Sequence, residues 1–103
     1  MSEAVDRLWV TLVGLAAGDA ITTLVALSLG LPEANPVIVA AIDAVGLLGV
    51  PLSQLVYITA AWLVVRQVDR NQHWVLAAGI VPSALVVANN TVWIALVVSG
   101  VIP

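Results

Sequence analysis

The chain has 103 residues, 62% of them hydrophobic and 9% charged, against roughly a quarter charged in an ordinary soluble domain, so a soluble globular fold is excluded. The formal net charge is −3, with Arg7, Arg66 and Arg70 as the whole basic complement; nucleic-acid binding and a polybasic lipid patch, which need clustered positive charge, are excluded with it. There is no cysteine and a single histidine, His73, which removes disulfides, S-acylation and thiolate chemistry and leaves no basis for a zinc centre. The length accommodates three or four spans of about 20 residues and little else, so residues 1–103 are read as one membrane domain. An acidic balance without lysine, rich in alanine, valine and leucine, resembles the usage of halophilic archaea.

The first apolar segment, Leu8 to Leu31, predicts a span. Leu8 to Leu15 followed by Ala16, Ala17 and Gly18 resembles the end of a secretory leader. Glu3 and Asp6 in the region before it argue for a retained helix. Asp19 stands at its midpoint, where an aspartate costs about 2.5 to 3.5 kcal/mol on insertion scales. Thr22 and Thr23 lie three and four residues on and form one polar patch with it. Gly14 and Gly18 make a G-x-x-x-G pair beside Thr11 and Thr22, predicting a surface that another helix approaches closely.

Pro36 to Val65 is too long for one straight span: 30 residues would extend about 45 Å against a hydrocarbon core of about 30 Å. Gly46, Gly49 and Pro51 interrupt it. The expectation is a short interfacial or re-entrant helix over about 37–48 and a span over 51–66. A single long kinked helix and a division of the chain into four short spans are the alternatives. Asp43, in the short helix, is expected to face headgroups or water.

The third span is predicted over 74–98. Trp74 and Trp93 are separated by about 28 Å along a helix, the spacing of two aromatic belts, and Pro82 is expected to bend the helix between them. Short loops fall at Pro32 to Asn35 and Arg66 to His73. With three spans, Arg7, Arg66 and Arg70 share a side, which the positive-inside rule makes cytoplasmic, with Glu33 and the C-terminus outside. No internal repeat and no low-complexity tract is present.

No lysine or arginine lies at membrane depth, so Asp19 must find amides and hydroxyls. Gln54, Tyr57 and Thr59 in the second span and Asn89, Asn90 and Thr91 in the third are the candidates. A protonated Asp19 donating a hydrogen bond to an asparagine is the expected state. The predicted intramembrane polar cluster is therefore Asp19, Thr22, Thr23, Gln54, Asn89 and Asn90. Asn89-Asn90-Thr91 also fits the N-glycosylation pattern, which membrane depth makes irrelevant. Catalysis needs a nucleophile or base with an orienting partner. Ser28, Ser53, Ser83 and Ser99 have no histidine or lysine at depth to activate them, so no catalytic residue, metal site or cofactor is expected.

Asp19-Ala-Ile-Thr-Thr23, then Glu33-Ala-Asn-Pro36 and a late Asn90, resemble a prokaryotic, largely archaeal, domain-of-unknown-function family of small three-span membrane proteins. Its pattern is D-x-x-x-T, a glycine near the span's end, E-x-N-P and a closing asparagine. The resemblance implies no activity. Many members of that family look as if they carry a lysine in the second span; here Gln54 is the nearest polar position, which puts an Asp–Lys pairing in doubt. Read locally, Pro36 starts a helix while Glu33 and Asn35 accept bonds from its free N–H groups.

Taken together, the chain is expected to be an all-α integral membrane protein acting by helix association, as a homo-oligomer or as an accessory subunit of a membrane assembly. The prokaryotic plasma membrane is the expected location and a virion membrane a second one. The alternative is a minimal proton or cation transporter or channel built from several copies around Asp19, Asn89 and Asn90.

Overall fold

A computed structural model describes residues 2–102. Four α-helices follow in order: α1 Glu3–Ser28, α2 Pro36–Val45, α3 Gly49–Arg66 and α4 Gln72–Val98, with a 3-10 turn Gly46–Leu48 between α2 and α3 and no strand among the described residues. Glu3–Ser28, Pro36–Arg66 and Gln72–Val98 are long and apolar enough to cross a membrane.

Helix α1 starts five residues before the apolar run. The Ser2 hydroxyl accepts from Val5 N–H at 3.1 Å, and an exposed Arg7–Glu3 pair at 2.6 Å bridges the first turn. Capping and i,i+4 pairing thus carry the helix through residues that a hydropathy boundary at Leu8 leaves out. It ends at Ser28 instead of Leu31 because Gly30 adopts φ +87°, which only glycine enters freely. Leu31 N–H then bonds Ala26 C=O and Gly30 N–H bonds Leu27 C=O, a Schellman closure.

The buried positions of α1, Val5, Leu12, Ala16, Asp19 and Thr23, fall at helical spacing on one stripe. Against that stripe lies α4. A Cβ at Gly79 would sit 3.5 Å from Leu12, a Cβ at Gly18 would sit 3.6 Å from Val87, and Asn90 reaches Thr22 and Thr23. All these partners are separated by nearly the same number of positions, so α1 and α4 run parallel. Helix α3 is antiparallel to both. Its C-terminal Val65 joins Val5, Leu12 and Leu76 in the one apolar core, while Tyr57 reaches Gly79 mid-bundle. Arg7, Arg66 and Arg70 therefore gather at one end of the bundle.

Gly46, at φ +75°, reverses the chain, and α2 packs back along the first half of α3. The approach is close enough that a Cβ at Gly49 would fall 2.5 Å from the Ala41 carbonyl carbon. Pro51 does not make the break. It sits in the first turn of α3, where its missing N–H forfeits no helical bond. Pro36–Arg66 is consequently not one long rod.

Candidate functional site

Asp19 is 6% exposed and Thr23 2%. One helical turn apart, they meet directly: Thr23 Oγ1 donates to Asp19 Oδ1 at 3.1 Å. Asn90 of α4 crosses to the same turn, its Nδ2 donating to Thr22 Oγ1 at 3.0 Å and to Thr23 Oγ1 at 3.2 Å. Thr22 in turn donates to the Gly18 carbonyl at 2.8 Å. From α3, Gln54 lines the same cavity as Asp19. Helices α1 and α4 thus join through the threonine hydroxyls and the Asn90 amide, next to a carboxyl that α3 borders.

Asn89 does not join them. One residue from Asn90, it is turned about 100° round the helix and is exposed, on the wall of a second cavity of about 600 Å³ that also holds Glu33, Asn35 and Trp93. Tyr57 and Thr59 are also placed away from the carboxyl's own bonds. Tyr57 Oη donates to Gly79 C=O at 2.6 Å, one residue after the Ala78 carbonyl that Pro82 leaves without its helical donor, and Thr59 bonds Leu55 C=O on an exposed face. The glycine pair divides. Gly18 packs on Val87, but nothing approaches within 4 Å of the Cβ position at Gly14.

The Glu33-Ala-Asn-Pro36 turn is closed by its own side chains. Glu33 Oε1 accepts from Asn35 N–H at 2.8 Å, and Asn35 Oδ1 accepts from Val37 N–H at 2.9 Å, with Pro36 at the first helical position. Asn35 is the cap of α2, and Glu33 holds the cap residue, not the first turn. A cavity of about 240 Å³ runs from this turn to Asp19, lined also by Ser53, Gln54, Tyr57 and Ser83.

Residues 10–96 match the family described as Domain of unknown function (DUF5658). The chain belongs to the DUF5658 family. No curated protein and no solved structure matches it. The DUF5658 match takes in Asp19, the Glu33–Pro36 turn, Gln54 and Asn90. Ser53 and Ser83 line the cavity beside Asp19, and no sequence motif picks them out. The one available signal is spacing: Ser83 precedes Asn90 by two helical turns and so shares its face.

Proposed function

We propose that this DUF5658 protein is a three-span protein of a prokaryotic plasma membrane that works by helix association, as a homo-oligomer or as a subunit of a larger membrane assembly. The observation that carries the reading is Asn89. Its amide is exposed at the level of Thr22, well inside the third candidate span, and it makes no hydrogen bond among the described residues. At membrane depth an amide left without a partner, here on the rim of the cavity that holds Glu33 and Asn35, is costly, and in this reading a neighbouring chain supplies the partner. Gly14 and Ala17, both exposed on α1, add a surface of small residues that the chain itself leaves uncovered.

In this reading α2 is re-entrant. The turn before it and its first residues share cavities with Asp19, Gln54 and Asn90, the depth of the bundle's middle and not of its rim. The arginine end is cytoplasmic. Single-molecule photobleaching in liposomes tests the association: multi-step bleaching is expected for the native chain and a shift toward single steps for Asn89→Leu. Single-step bleaching of the native protein at every protein-to-lipid ratio would remove this reading.

A further inference from the structure

The cavity beside Asp19 has a one-sided chemistry. Ser53 Oγ donates its proton to Val50 C=O at 2.7 Å and Tyr57 Oη donates to Gly79 C=O at 2.6 Å. Each hydroxyl hydrogen is committed to backbone, so each oxygen presents lone pairs to the space between them. Gln54, 9% exposed, lines the cavity beside the Asp19 carboxyl. Ser83 is 4% exposed, lines the same cavity and makes no hydrogen bond among the described residues. The residue is nearly buried and stands on the cavity wall. No lysine, arginine or histidine lines the cavity; Asn35, at its exposed rim, has its amide oxygen taken by Val37 N–H.

Val37, Ile38, Pro82 and Val86 make the apolar part of the lining; its polar part is a set of neutral oxygens beside a single buried carboxyl, without a positive group, which is complementary to a small cation. We propose that this cavity binds an alkali cation, with Asp19 as the charged ligand and Ser83, Ser53, Tyr57 and Gln54 as neutral oxygen ligands. The charge count selects the valence. One carboxylate neutralises one monovalent ion, whereas a divalent ion would leave net charge at a depth where charge is expensive. Hard cations of this kind take oxygen ligands of the type present.

Binding is an exchange. The Asp19 O–H bond breaks, its proton leaves to solvent and the cation takes its place, so the bundle's middle is uncharged in both states. The other titratable groups near Asp19 are Glu33, on the turn before α2, and Tyr57, on α3; α4 contributes none. This site lies within one chain and stands whether or not the chain associates.

Isothermal titration of the full chain in lipid nanodiscs with NaCl or KCl, against N-methylglucamine chloride at equal ionic strength, tests the site. A saturable heat and a raised Tm with an alkali ion are expected, with a fall in pH in weakly buffered solution. Asp19→Asn is expected to abolish all three. Ser83→Ala, folded to the same elution volume and helix content, is expected to bind roughly tenfold more weakly, the loss of one hydrogen-bond-strength contact to a charged group. Thr91→Ala, whose hydroxyl bonds Val87 C=O on an exposed face, is expected to bind as the native chain does. Indistinguishable responses to alkali and organic cations, or a folded Ser83→Ala that binds as tightly as the native chain, would overturn the proposal.

Discussion

Asp19 and Thr23 stand one turn apart on the buried stripe of α1, and Gln54 and Asn90 close on them from α3 and α4. Hydrogen bonds shielded from water are expensive to leave unmade, more than they are worth when made. Asp19→Asn keeps an acceptor and gains donors, so in buffer free of alkali cations the bundle is expected to keep its thermal stability to within a degree or two. Asp19→Leu strips Thr23 of its partner, and a loss of about 1 to 3 kcal/mol is expected. Reversible unfolding in mixed micelles reads both. Equal loss from the two variants would show that side-chain volume, not hydrogen bonding, holds this position. That Asp19 must be compensated is legible in the sequence, because an acid in an apolar run has no other way to persist. Which amide compensates it was not legible. Asn89 and Asn90 are equivalent as residue types, and only the rotational setting of α4 decides that Asn90 faces Thr22 and Thr23.

Among the elements, the contact between α2 and α3 is the tightest. Backbone of Ala41 occupies the place a side chain at Gly49 would need. Gly49→Ala is expected to push α2 off α3 and to cost about 1 to 3 kcal/mol, seen as a lowered Tm and as faster amide exchange confined to α2 and the first turns of α3. Unchanged exchange there would mean that the hairpin is not packed as described. The two glycines of α1 make a second comparison. Gly18→Leu is expected to separate α1 from α4, because Val87 lies at ordinary van der Waals distance from a single added carbon and leaves no room for three more. Gly14→Leu has open space and is expected to leave the Tm of a single chain in detergent unchanged. A G-x-x-x-G spacing reads as one surface in sequence. Here the two residues share a face one turn apart, but only Gly18 meets α4, through Val87, and the buried stripe of α1 is Leu12, Ala16, Asp19 and Thr23.

For the whole molecule, the parallel pair α1 and α4 with α3 antiparallel puts Arg7, Arg66 and Arg70 at one end. Cysteine variants at Ser2 and Asn71 are expected to react with a membrane-impermeant thiol reagent from the same side, and a variant at Gly100 from the opposite side. Labelling of the first two from opposite sides would overturn the three-span topology.

Hydropathy and helical period are local properties, and they were enough to mark out three apolar helices, the turn at Glu33 to Pro36 and an acid that had to be paired. The direction of α2 was beyond them. Gly46, Gly49 and Pro51 all signal an interruption, and only the close approach of Ala41 to Gly49 shows that the chain doubles back at Gly46 while Pro51 sits harmlessly in a first turn. The cavity was hidden for the same reason. Tyr57 is in sequence one of several candidate partners for Asp19, and Ser53 and Ser83 are scattered hydroxyls; they share one cavity wall only where three helices bring them to Asp19. Composition and period act within a helix; the rotation of each helix about its axis is set by packing between helices, and it is rotation that decides which polar groups meet.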